Sequence, residues 1–200
     1  MAPSTAMDET LQTALLATRV LDDLGVRWFL GGSLASSLLG IPRATLDADI
    51  VADLAPEHVT PMLRALGEAW YADETAIRDA ITQRSCFNLI HFDTALKVDV
   101  FVPKRRNFEA CQFARAVRVP IADGSGIEIP VCSAEDIIAA KLEWFQVGGE
   151  LSERQWGDIL GVLRVNGGQL DLRQLRESAR ELQVSDLLER ALAQSSTALF

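Results

Sequence analysis

The spacing of apolar and polar positions divides this chain into a first part that alternates strand-like and helix-like runs and a second part that is helical throughout. Residues 8–24 carry apolar side chains at helical spacing, and Gly25 stands where a glycine commonly closes a helix. Residues 26–30 form a short β-branched and aromatic run that enters Gly31-Gly32-Ser33, after which residues 34–39 return to helical spacing and stop at Gly40. Pro42 marks a break. In residues 45–52 polar Thr45, Asp47 and Asp49 alternate with Leu46, Ala48 and Ile50, the two-residue period of a strand. Residues 56–69 read as a helix with Pro56 in its first turn.

Residues 85–92 and 96–102 are both strand-like, and Asp93-Thr94-Ala95 between them is short enough for an antiparallel hairpin. Residues 117–121 and 127–131, joined by Asp123-Gly124-Ser125-Gly126, form a second expected hairpin. From Ser133 onward the pattern is helical. Ser133, Ser152, Asp171 and Ser185 each supply an N-cap side chain, and Gln155 and Gln174 stand at capping-box spacing from the second and third. The expected organisation is a core over residues 1–132 and a helical region over 133–200 packed on it.

Composition narrows the class of protein. Nearly half of the 200 residues are apolar and about a quarter charged, which permits a proper core and is unlike disorder. Cys86, Cys111 and Cys132 are odd in number, widely spaced and without a CxxC or histidine pattern, so neither a disulfide framework nor a zinc site is expected. Met1 to Thr10 carries Asp8 and Glu9 and no basic region, unlike a secretory signal, and no run approaches a membrane span. A cytoplasmic protein with no membrane partner is the expectation. The net charge of −9 argues against an extended nucleic-acid surface, leaving Arg43 or Lys104, Arg105 and Arg106 as local anchors for any such substrate.

The carboxylates carry the chemistry. Residues two apart on a strand share a face, so Asp47 and Asp49 project side by side and repel unless a cation lies between them. Hard oxygen ligands of this kind suit magnesium or manganese. Asp99 repeats the pattern as a single carboxylate inside the apolar run Val98 to Val102. Lys141 falls within the apolar arc of Ala134, Ile137, Ile138, Leu142 and Phe145 at about 100° per residue, so it either snorkels to an edge or reaches across to a charged ligand. His58 and His91 lack partners for a metal or nucleophilic role, and the four tryptophans read as packing residues.

Taken together, a strand, Gly31-Gly32-Ser33, a helix, Arg43-Ala44-Thr45, Asp47-Ala48-Asp49 and a later Asp99 resemble the nucleotidyltransferase superfamily. Gly32 and Ser33 match that family's glycine element, Asp47 and Asp49 its Asp-x-Asp pair, and Asp99 its third carboxylate. The Arg-x-Thr-x-Asp-x-Asp run and the helical tail look most like the bacterial group that includes the AbiEii toxins, over roughly residues 26 to 165.

The resemblance implies an α/β (α+β) nucleotidyltransferase fold with a mixed sheet flanked by helices and a C-terminal helical extension. It implies a metal-dependent enzyme that moves a nucleoside monophosphate from a nucleoside triphosphate such as ATP to an acceptor: RNA, protein or a small molecule. A catalytically inactive nucleotide-binding or partner-binding module of the same fold is the alternative. Asp47, Asp49 and Asp99 would hold Mg2+ or Mn2+, with Asp99 binding a second ion or receiving the acceptor's proton. Gly31, Gly32 and Ser33, with Arg43 and Thr45, would hold the triphosphate, and the AbiEii-like pattern adds Lys141 and Asp158. A toxin with a neutralising protein partner is the expectation that follows from that group.

Overall fold

The computed structural model describes residues 4–121 and 126–197 and divides into two compact units, Met1–Leu34 with Arg43–Val131, and Ala35–Pro42 with Cys132–Phe200. In the first unit a seven-stranded mixed sheet is built from β1 (Trp28–Leu30), β2 (Asp47–Ala52), β3 (Trp70–Ala72), β4 (Cys86–His91), β5 (Lys97–Phe101), β6 (Val117–Pro120) and β7 (Glu128–Val131). The strand order is β3-β4-β5-β2-β1-β7-β6, with β2/β5 and β1/β7 parallel and the other pairs antiparallel. Both expected hairpins form. The turn residues Asp123, Gly124 and Ser125 lie outside the described residues.

Alternation along β2 decides what each face of the sheet does. Ala48, Ile50 and Ala52 are buried, as are Val98 and Val100 on β5 and Phe87 and Leu89 on β4. Helix α1 (Ser4–Asp23) packs on this face through Leu11, Ala14, Ala17 and Leu21, a three- and four-residue repeat that keeps them on one stripe. Asp47, Asp49, Lys97 and Asp99 occupy the opposite, half-buried face. Helix α2 runs from Gly32 to Leu39, earlier by two residues than its apolar spacing suggests, and begins directly after Gly31.

Three expectations change in detail. The helix expected over residues 56–69 is α3 (Val59–Leu66) between 3-10 turns at Pro56–His58 and Gly67–Ala69. Residues 70–84, left without elements by the periodicity, hold β3 and helix α4 (Glu74–Gln83), which Asp73 caps by accepting the Ala76 amide at 2.9 Å. Helix α5 (Asn107–Arg115) is also absent from the sequence reading. Its buried positions include Glu109 and Gln112 beside Phe108, so the stripe that meets the core is not apolar enough to show as one.

The second unit contains α6 (Ala134–Val147), α7 (Glu153–Asn166), α8 (Leu172–Glu181) and α9 (Ser185–Thr197). Ser133, Ser152 and Asp171 cap as expected, through Asp136, Gln155, and Arg173 with Gln174. The Asp171 amide donates to Glu135 Oε1 at 2.9 Å, so Glu135 takes the reciprocal half of the box expected of Gln174, whose Nε2 is buried without a partner. Ser185 is the first residue of α9. Ile138, Leu142, Ile159, Leu175 and Leu188 form the buried centre of the unit, whereas Trp144, expected to pack, is 53% exposed. Gly40 approaches α7 so closely that a Cβ would lie 2.9 Å from the Val162 amide nitrogen. No described helix is long and apolar enough to cross a membrane.

Candidate functional site

Strand register brings the expected carboxylates together. On parallel strands β2 and β5, Asp47 is the partner of Lys97 and Asp49 the partner of Asp99, and strand neighbours lie about 4.8 Å apart with side chains on one face. Three carboxylates therefore occupy adjacent places across two strands. Antiparallel β4 adds Asn88, exposed and directly opposite Asp99. Lys97 and Asn88 were not singled out from the sequence, because only the register reveals that they share the acidic face.

Each carboxylate has a local partner. The Asp47 Oδ1 accepts from the Thr45 hydroxyl at 2.9 Å, and the Thr45 carbonyl in turn accepts from Thr10 Oγ1 at 2.9 Å. Thr45 is buried and orients the first carboxylate of the pair. Asp49 Oδ2 accepts from the Ser33 amide at 3.2 Å, at the start of α2. Asp99 Oδ2 accepts from Lys97 Nζ at 2.7 Å, while Asp99 Oδ1 is buried with no hydrogen-bond partner. That hydrogen bond, and then the charges of Asp99, Asp47 and Asp49, raise the Lys97 ammonium above its ordinary pKa, against the opposing effect of burial.

The glycine element meets the same carboxylates. Gly31 donates its amide to the Asp49 carbonyl at 2.8 Å, which fixes the turn against β2. Gly32 has φ of +54°, and a Cβ there would fall 1.7 Å from Asp49 Oδ2, so the Asp49 carboxylate occupies space that any other residue would fill. Arg43 Nη2 donates to Ser33 Oγ at 2.8 Å. Gly31, Gly32, Ser33, Arg43, Thr45, Asp47, Asp49 and Asp99 thus form one neighbourhood in the first unit.

Lys141 and Asp158 meet each other. Lys141 Nζ donates to Asp158 Oδ2 at 2.8 Å inside the helical unit, with side-chain exposures of 9% and 7%. The lysine neither snorkels nor presents an open ammonium. In the first unit Lys104, Arg105 and Arg106 line a groove of 450 Å3 with Arg27 and Arg84, where Arg106 is paired with Glu109 and Arg27 with Asp53. His58 Nδ1 accepts the Ala55 amide, and His91 is buried with Nδ1 at 3.1 Å from Thr94 Oγ1.

With the carboxylates turned to these partners, no three Asp, Glu, His or Cys side chains among the described residues stand in the geometry of a bound metal ion. Asp49 and Asp99 are nevertheless register partners on adjacent strands. The oxygen-only donor set and the buried, unpartnered Asp99 Oδ1 fit a hard divalent cation.

No family model and no curated protein match this chain. Several solved structures do. The antibiotic-resistance factor ANT(2'')-Ia in solution superposes with a TM-score of 0.53 at 14% identity, over 90% of this chain and 96% of that one. An antigenic nucleotidyltransferase-like protein from Paracoccidioides brasiliensis gives 0.49 at 17% identity, over 96% and 94% of the two chains. The crystal structure of ANT(2'')-Ia in complex with adenylyl-2''-tobramycin gives 0.44 at 18%, over 94% and 98%. At such identities the likeness bears on architecture, and of these three only the first superposition exceeds 0.5. The mixed sheet flanked by helices, with its carboxylate pair beside the glycine turn, is a nucleotidyltransferase fold.

Proposed function

We propose that this chain is a divalent-metal-dependent nucleotidyltransferase, moving a nucleoside monophosphate from a nucleoside triphosphate to an acceptor. The observation that carries the reading is the row of Asp49 and Asp99 on adjacent strands, with Asp47 beside it and Asp99 Oδ1 buried and unpartnered. Bound Mg2+ or Mn2+ would orient the phosphates and offset charge developing at the α-phosphorus. Asp47, Asp49 and Asp99 Oδ1 are the groups to hold it.

The remaining work falls to this chain's own groups. The start of α2, at Gly32 and Ser33, is where backbone N–H groups would meet a phosphate. The Ser33 amide is held by Asp49 in this structure, so Asp49 has to rotate toward Asp99 before that amide can face an anion. Arg43 beside Ser33 places a guanidinium at the same end. Asp99, a carboxylate at the side facing Asn88, is the base for a proton leaving an acceptor hydroxyl, or a ligand to a second ion. The AbiEii-like sequence run supports a cytoplasmic toxin held by a neutralising protein, with ATP as one candidate donor.

A second reading has its own observation. All three carboxylates are engaged locally, Asp99 by Lys97, and a fold that retained nucleotide binding without transfer fits that arrangement too. Incubation with each α-labelled nucleoside triphosphate, Mg2+ and a cell extract, followed by fractionation into RNA, protein and small molecules, separates the two. The active reading predicts label in one fraction for the parent and none for Asp49→Asn. Parent and variant alike without label, while the parent still binds triphosphate, supports the inactive module.

A further inference from the structure

The proposed chemistry leaves Lys97 unused. Four places where β2 and β5 face each other hold Asp47, Lys97, Asp49 and Asp99: three carboxylates and one ammonium on one face. A lysine at the rim of a strand normally carries its charge out to water. Lys97, 40% exposed at its side chain, turns instead to Asp99, which is 15% exposed, and contacts Oδ2 at 2.7 Å. One oxygen of the third carboxylate is thereby taken by a fixed positive charge, and the other is left buried without a partner. A divalent ion entering the face can reach Asp99 through Oδ1 alone unless it expels the ammonium.

We propose that Lys97 is a resident cation of the carboxylate site, holding Asp99 Oδ2 so that Asp47, Asp49 and Asp99 Oδ1 are left to bind a single divalent ion before nucleotide arrives. The inference rests on the metal-site reading above and goes beyond it. It assigns Lys97 as a positioning residue that sets the charge of the site and limits how many ions it takes. A surface salt bridge with no further role would change little when removed. A unit positive charge a few ångströms from a divalent ion in a half-buried place weakens that ion's binding, by about tenfold or more at the effective dielectric of such sites.

The test is a Mn2+ titration of the full chain without nucleotide, read by electron paramagnetic resonance, for the parent and for Lys97→Met, Lys97→Gln and Lys97→Arg, each checked for folding by circular dichroism. The expected result is one ion on the parent. Lys97→Met and Lys97→Gln should bind Mn2+ about tenfold more tightly or take a second ion. Lys97→Arg, which keeps the charge, should titrate like the parent. Neutral variants that match the parent, or that bind more weakly, overturn the resident-cation role. Asp49→Asn separates the two levels: if the parent binds one ion that Asp49→Asn loses, and Lys97 variants are unchanged, the lysine inference alone fails. A parent that binds no Mn2+ overturns the metal site and the lysine's role together.

Discussion

Among the described residues each of the two units shows a close lysine–aspartate pair, and the two pairs behave as different objects. Lys141–Asp158 is 2.8 Å long and less than a tenth exposed on both sides, and Lys141 shares α6 with the buried Ile137, Ile138, Leu142 and Phe145. Lys97–Asp99 is 2.7 Å long but half-open, with two more carboxylates on the same face and an oxygen left over. The first joins α6 to α7. The second stands beside two further carboxylates, an arrangement that a bound cation would favour. Equal distances thus say little; exposure and neighbouring charge are what distinguish the two pairs.

The largest expected effect comes from breaking the tie. Lys141→Met keeps the stem and takes the ammonium away from the buried Asp158 carboxylate, which should cost about 3 kcal/mol of stability in urea unfolding. A variant as stable as the parent would show that the other contacts of Asp158 suffice to hold it, and that Lys141 is not needed for the fold. Gly32→Ala comes next. Its left-handed backbone and the collision with Asp49 Oδ2 should cost roughly 1 to 3 kcal/mol and displace Asp49, so Mn2+ affinity should fall with stability. Lost stability with unchanged Mn2+ binding would remove Asp49 from the ligands.

Breaking the open pair should do far less to the fold. Asp99→Asn relieves repulsion as well as removing a partner, and without metal it should change stability by no more than about 1 kcal/mol in either direction. Outright unfolding would make Asp99 a structural residue. Smallest of all is Arg176–Glu189, an exposed pair in the helical unit, where hydrogen bonding from Arg176 holds the Glu189 carboxyl below its usual value. A lowered carboxylate contributes above its unfolded pKa and is lost as pH falls through the folded one. Arg176→Ala should therefore lower the urea midpoint slightly at pH 7 and leave it unchanged at pH 3; equal shifts at both would mean lost packing.

How much of this was legible without coordinates follows from what each feature depends on. Asp47, Asp49 and Asp99 stood out because two-residue alternation is local and a carboxylate in an apolar strand is conspicuous. The β4–β5 hairpin was legible for the same reason. Helix α4 carried a readable signal in the Asp73 cap and in Ile77, Ala80 and Ile81 at spacings of three and four, whereas α5 hides behind buried Glu109 and Gln112. Lys97 was invisible as a site residue because its neighbours come from β2, across a register that sequence spacing does not encode. Lys141 showed its apolar surroundings but not its partner, since Asp158 lies on the next helix.

Thermal unfolding of the parent and of Asp99→Asn, with and without Mg2+ and a nucleoside triphosphate, tests the central claim most directly. The account predicts that the parent is stabilised by the two ligands together and far less by triphosphate alone, and that Asp99→Asn, folded and of nearly parental stability, loses the Mg2+-dependent part. A parent with no Mg2+-dependent stabilisation, or an Asp99→Asn variant that keeps all of it, would contradict the claim that these three carboxylates form a metal and nucleotide site.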